Sequence, residues 1–296
     1  MTSAISLAIP IVVFFVMTIV GLDLTPADFR QVARRPGLVL GLTLAQSLLI
    51  PLVALSLVQG LSLKPTVAVG LLLLAVCPGG GISNYYTYLA RASTALSIVL
   101  TCASSLAAAA TMPALLALLV WFVPDHQSLQ VPLGALLGQL LLLMTVPVLL
   151  GMGVRYLAPS FTQRNSSRFR RLGVVAVAGL VVLVVSQGAQ SFARDWSEGA
   201  LASALLVLAS MAVGYAVAAV FALSANDRLT VLIEFGVRNA ALPTAMAVSL
   251  LHQFDLAVMM AIYFLTQVPL MFLSISLYRL AAARRSGLME VKLQQP

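Results

Sequence analysis

The 296-residue chain is 61% hydrophobic and only 9% charged, against about 25% charged residues in an ordinary soluble domain, and its mean hydropathy is +1.04. This excludes a soluble globular protein and implies a multi-span membrane protein, with lipid as its solvent. A net charge of +8 would suit nucleic acid in a soluble chain; here the basic residues fall in alternate loops, so no nucleic-acid partner is expected.

The first span is placed at residues 5–20. It lacks the basic n-region of a secretory signal, and no small-residue cleavage site follows residues 12–20. Arg30, Arg34 and Arg35 come next, and Pro36 opens the second span at 38–58, which contains Gln46 and Pro51. After Lys64 and Pro65 the third span starts near Thr66, breaks at 78–81 and resumes through Tyr88. Pro78 lacks a backbone donor, and Gly79, Gly80 and Gly81 give no side chain to hold a helix together. Hydrocarbon tolerates freed backbone groups only inside protein or beside a wet cavity, so the break is expected to line a site.

The fourth span takes 93–119 and ends at Trp121; the fifth lies at 133–156. A strongly basic loop with Arg164, Arg168, Arg170 and Arg171 leads to the sixth span at 172–186, and Arg194-Asp195-Trp196 is read as its exit. The seventh span is 201–223. The eighth begins after 226–228, breaks at 236–239 and continues to Leu251, and the ninth runs over 256–277. Both faces of most spans are apolar, so prolines, charges and length set these boundaries more than periodicity does.

With nine spans and the amino terminus outside, the inner side holds 14 of the 17 basic residues, the outer side holds Lys64 and Arg194, and Arg238 lies within a span. This positive-inside bias places the carboxyl end in the cytoplasm. The third and eighth spans then cross in opposite directions, five spans apart, and both are interrupted. Two inverted repeats would give that pattern: a shortened one of about four spans over 1–122 and one of five over 131–283, with 284–296 as a cytoplasmic tail. The fold class is therefore an all-α polytopic membrane protein, a single transporter domain over 1–296 with an inverted repeat and two discontinuous helices. A multi-pass protein of the cell membrane, the inner membrane in a bacterium, fits the bias.

Ser83 and Asn84 are adjacent, and Ser97 and Thr101, four apart, share a helix face. With Glu234 they supply hydroxyl, amide and carboxylate oxygens, hard ligands suited to a small cation such as sodium. A buried serine or threonine taken singly as often bonds a neighbouring carbonyl; the grouping around two breaks favours a shared site. Glu234 and Arg238 are the charged residues this topology buries deepest, and such groups are usually paired or functional. At i,i+4 they either pair directly, or Arg238 faces a cavity and attracts an anion. Gln46 either faces the same cavity or bonds a neighbouring helix, and Asn239 either caps freed carbonyls or meets substrate. Tyr85, Tyr86 and Tyr88 read as packing or interfacial anchors. His126 and His252, in outer loops, and Cys77 and Cys102, within spans, have no metal-ligand company. Residues 79–81 lack the lysine and hydroxyl of a nucleotide loop, and with no catalytic set in view an enzyme is not expected.

At these residues the chain resembles the bile acid:sodium symporter family. Cys77-Pro78-Gly79-Gly80-Gly81-Ile82-Ser83-Asn84 is similar to its first crossing-helix motif, and Ala90-Arg91-Ala92-Ser93-Thr94-Ala95-Leu96-Ser97 with Thr101 to the continuation. Glu234-Phe235-Gly236-Val237-Arg238-Asn239 is similar to the second motif, usually Glu, any residue, Gly, any residue, Gln, Asn. The resemblance implies core and panel domains, crossing broken helices, and secondary active transport of an organic anion by alternating access, with no cofactor beyond sodium as coupling ion. One sodium site would use Ser83, Asn84, Ser97, Thr101 and Glu234. The other would use Gln46, Glu234 and the backbone oxygens of Phe235 and Val237, with Arg238 where the family has a glutamine. Arg238, Asn239, Gly80, Gly81 and Asn84 are the candidate substrate contacts.

A guanidinium donates and cannot accept, so Arg238 is expected to replace the second cation. The expectation is a one-sodium symporter of a bile-acid-like steroid or small carboxylate in a lipid bilayer, with no oligomer required. The alternative is a sodium-independent transporter, proton-coupled, exchanging or passive, in which an Arg238–Glu234 pair has replaced sodium.

Overall fold

The computed structural model describes residues 3–25, 30, 35–122, 134, 138–139 and 141–293. Arg34, His126, the junction at 123–133 and the side chains of Arg284, Arg285 and Lys292, all part of the topological reading, lie outside what is described. The helices are α1 (Ser3–Asp23), α2 (Pro36–Leu61), α3 (Pro65–Val76), α4 (Ile82–Leu89), α5 (Thr94–Val120), α6 (Val146–Leu157), α7 (Pro159–Gln187), α8 (Ala189–Val220), α9 (Ala225–Gly236), α10 (Ala241–Ser249) and α11 (Phe254–Leu293). A π-helical turn, Leu141–Thr145, runs into α6. Proline opens α2, α3 and α7, where its missing N–H forfeits no helical bond. Ser224 caps α9 by accepting the Asp227 amide at 3.2 Å.

Among the described residues four helices are long and apolar enough to cross a membrane: α2, α7, α8 and the Phe254–Ala281 stretch of α11. The shortest, α2, has 26 residues, about 39 Å at 1.5 Å per residue, against about 30 Å of hydrocarbon. A fifth, α5, bends by 62° between Thr94–Ala108 and Ala110–Leu118. Pro113 supplies no N–H to the carbonyl four residues earlier and crowds it, which opens the helix there. The chain is an all-α multi-pass membrane protein.

The sequence reading of two loops is corrected. The stretch holding Arg164, Arg168, Arg170 and Arg171 is helical and forms the first turns of α7. Arg194-Asp195-Trp196 lies inside α8, which Gly188 alone separates from α7. Charge marks where a chain leaves lipid, not where a helix stops. Asp195 is buried there and accepts Lys64 at 3.3 Å and Arg194 at 2.7 Å, and Arg194 reaches Asp255 at 3.1 Å. Likewise α11 stays helical through most of 284–296, the stretch read as a tail.

The helices pack in two groups. The first is α1 with α6 and α7; in the second, α8 lies on α9, α11 and α2, and α3 lies on α2, α5 and α11. A Cβ on Gly21 would stand 2.2 Å from the Val148 carbonyl oxygen, and one on Gly151 2.2 Å from that of Thr18. Small residues thus let the α1 and α6 backbones touch. Contacts of α1 with α10 and of α7 with α11 join the groups.

Candidate functional site

Two interrupted helices build the site. Cys77 gives its N–H to Leu74 O at 3.2 Å, Pro78 has none to continue with, and α4 restarts at Ile82. In the other, α9 ends at Gly236 and Val237 is extended (φ −108°, ψ 109°). Asn239 Oδ1 then accepts the first amides of α10, from Ala241 at 3.1 Å and Leu242 at 3.2 Å.

The two breaks satisfy each other. Gly79 and Arg238 form an antiparallel bridge; Gly80 N–H donates to Val237 O at 3.2 Å and Asn239 N–H to Pro78 O at 3.0 Å. Backbone groups freed in mid-span thereby find partners inside protein, as the bilayer requires. The approach explains two glycines: a Cβ on Gly80 would lie 3.0 Å from Arg238 O, and one on Gly79 2.8 Å from Glu234 Oε2.

Ser83 and Asn84 from α4, Ser97 and Thr101 from α5 and Glu234 from α9 come together, all buried. Glu234 Oε1 accepts Ser83 Oγ at 2.6 Å, Thr101 Oγ1 at 3.0 Å and the Ser97 hydroxyl. Thr101 Oγ1 also lies 3.4 Å from Asn84 Oδ1 and from Ser83 Oγ. A hydroxyl has one proton to give. With those protons directed at Oε1, Ser97 Oγ accepts Thr87 Oγ1 at 3.3 Å, the other hydroxyl lone pairs and Asn84 Oδ1 remain as acceptors, and Glu234 Oε2 has no hydrogen-bond partner among the described residues. A buried carboxylate among surplus oxygens is an arrangement short of positive charge. It matches the chemistry of a hard cation.

Arg238, 3% exposed, holds a different place from the one its spacing implies. No ion pair within 4.0 Å joins it to Glu234 among those described. The i,i+4 geometry needs a continuous helix, and Val237 is extended. The guanidinium instead donates to Gln46 Oε1 at 3.4 Å, to Ala75 O at 3.1 Å and to Cys77 O. The last two are carbonyls at the end of α3, unpaired by the helix and at the negative end of its dipole. Of the expected second-site groups Gln46 is a partner, whereas the Val237 carbonyl is taken by Gly80 N–H and the guanidinium's partners do not include Phe235 O.

A cavity of about 90 Å³ lies against the crossing. Gly80, Gly81, Asn84, Arg238 and Asn239 all line it, with Asn84, Arg238 and Asn239 buried at its floor. Asp23 and Arg170 sit at its more exposed rim. Asn239 Nδ2 has a weak contact at 3.7 Å to Met17 Sδ. Of the three tyrosines, Tyr86 packs edge-on against Phe272, Tyr85 lines the cavity and Tyr88 is exposed.

Sequence reasoning passed over Tyr263, whose Oη accepts Arg238 N–H at 2.9 Å and donates to Gly236 O at 3.2 Å. It also passed over Ser104, whose Oγ accepts Gly79 N–H at 3.3 Å. A hydroxyl in an apolar span was the available signal for both.

Among known proteins, the family model described as "Sodium Bile acid symporter family" matches residues 10–195. The chain is 30% identical over 246 residues to the uncharacterized sodium-dependent transporter YocS of Bacillus subtilis strain 168, covering 82% of this chain and 74% of that protein. It is 30% identical over 228 residues to the probable sodium/metabolite cotransporter BASS2, chloroplastic, of rice (Oryza sativa subsp. japonica), 77% of this chain and 53% of that one. Against a human sodium-dependent organic anion transporter the identity is 35% over 167 residues, 56% of this chain and 42% of that one.

Proposed function

Since the chain belongs to the Sodium Bile acid symporter family, we propose that it is a secondary active transporter that carries an organic anion by alternating access, coupled to one sodium ion. The observation that carries the coupling is the oxygen cluster around Glu234, with three hydroxyls on Oε1 and no partner on Oε2. Ser83, Asn84, Ser97, Thr101 and Glu234 would hold the ion, while Arg238, bonded to Gln46 and two helix-end carbonyls, stands in for a second. The relatives' descriptions as sodium-dependent transporters support the same reading. Asn84, Asn239 and the glycines of the first break face the anion.

In this reading each broken pair counts as one span, giving nine, with α1, α6 and α7 as panel and the remaining helices as core. The repeats are 1–122 and 131–283. The charge bias puts the amino end outside and the carboxyl end inside, so the rim with Asp23 and Arg170 opens to the cytoplasm. The sodium-independent alternative rested on a direct Arg238–Glu234 pair; the absent contact weakens it.

Ligand-free thermal stability titrated with sodium against potassium, at constant ionic strength, tests the coupling, because an ion that binds the folded state stabilises it by mass action. A saturable sodium-specific rise, abolished by Asn84→Ala, is expected. No such rise in wild type would refute sodium symport.

A further inference from the structure

Two arginines line the cavity: Arg238, buried and left with an Nε unpartnered among the described residues, and Arg170, the more exposed of the two. Arg238 Nη groups are engaged with Gln46, Ala75 O and Cys77 O. Arg170, on α7, is bound through Nε alone, to Asp23 Oδ1 at 3.2 Å and Oδ2 at 3.1 Å on α1. Of the five guanidinium N–H donors the four on Nη1 and Nη2 have no hydrogen-bond partner among the described residues. The side chain is 31% exposed at the rim, against 16% for Asp23. Between rim and floor the wall is apolar, from Val16, Val20, Val177 and Phe264. An anion arriving here meets a cation edge first, then hydrocarbon, then the Asn84 and Asn239 amides.

We infer that Arg170 determines substrate specificity by meeting the carboxylate of a small organic acid at the cavity rim, with Asp23 positioning its guanidinium; this rests on the transport reading above. Volume sets the size. A cavity of about 90 Å³ has room for several water-sized groups at about 10–15 Å³ each, enough for an acid of three to six carbons to sit within it. Asp23 also tunes the site, because its charge partly cancels the attraction Arg170 exerts on an anion.

The test uses purified full-length protein, a panel of C3–C6 carboxylic acids, the uncharged amide of the tightest-binding acid, and taurocholate as the large comparator. Binding is read as ligand-induced thermal stabilisation at fixed sodium; sodium-induced stabilisation without anion shows that each variant is folded. Arg170→Gln should lower the preference for acid over amide by about tenfold or more, the loss of one charge-assisted contact. Asp23→Asn should raise it. Both variants break the same ion pair, so a merely structural clamp between α1 and α7 would shift the preference in one direction or leave it alone. Either result overturns the inference, as does a wild type that binds no acid of the panel or binds taurocholate more tightly than all of them. A wild type that binds the acids with the expected variant pattern, but carries none into proteoliposomes, would refute the transport reading and leave Arg170's role standing.

Discussion

Replacing Arg238 with glutamine removes a fixed positive charge and installs an amide whose oxygen can coordinate a cation. Wild-type Arg238 satisfies the Gln46 amide oxygen and the carbonyls of Ala75 and Cys77. The shorter glutamine keeps at most one of these bonds and leaves two buried acceptors unpaired. At about 1–3 kcal/mol each, sodium-free Arg238→Gln should lose about 2–6 kcal/mol of stability. A sodium ion entering the vacated place would return about 2.7 kcal/mol at a hundredfold its dissociation constant, in addition to the increment from the Glu234 cluster. Thermal unfolding in detergent, with sodium exchanged for potassium at constant ionic strength, reads both effects. The sodium dependence of uptake into vesicles should steepen from a Hill slope of one toward two. Arg238→Met, which offers no ligand oxygen, is the control: comparable loss without sodium, and no added recovery. If the two variants respond alike to sodium, Arg238 is not a surrogate cation and the one-sodium account fails.

Gly80→Ala should abolish transport and cost about 1–3 kcal/mol, because its Cβ would meet Arg238 backbone 3.0 Å away, whereas Gly37→Ala, with nothing within 4 Å, should be neutral in the same thermal assay. Asp195→Asn should lower stability by about 1–3 kcal/mol through the loss of its charge and of one of the two oxygens that accept Lys64 and Arg194, with no change in sodium affinity; a weakened sodium response would tie that charged cluster to the ion site.

The breaks were legible because Pro78 with three glycines, and Gly236 before Asn239, remove what a helix needs at those places. The Glu234 cluster was legible in part: a four-residue step puts Ser97 and Thr101 on one face, but only tertiary folding brings α4, α5 and α9 together. The direction of Arg238 was legible only as two alternatives: the i,i+4 pair presumes that the helix continues, and Val237 ends it, which leaves Arg238 on the cavity. Nor was the partnership of Arg170 with Asp23. Charge counting assigns an arginine to one side of the membrane and says nothing about which distant helix folds beside it. The starts of α7 and α8 were misplaced because charged residues in a membrane protein signal water, while a helix with satisfied side chains runs on through the interface.

The mutual bonding of the two breaks constrains how the molecule moves. Gly80 to Val237 and Asn239 to Pro78 act as a rivet through the point where four half-helices meet. Sliding α3 past α9 would shear both bonds at once and strand four backbone groups away from water, at a cost of several kcal/mol in a dry interior. The crossing therefore travels as one rigid unit. Relative movement of the two helix groups is left to the seam where α1 lies against α10 and α7 against α11.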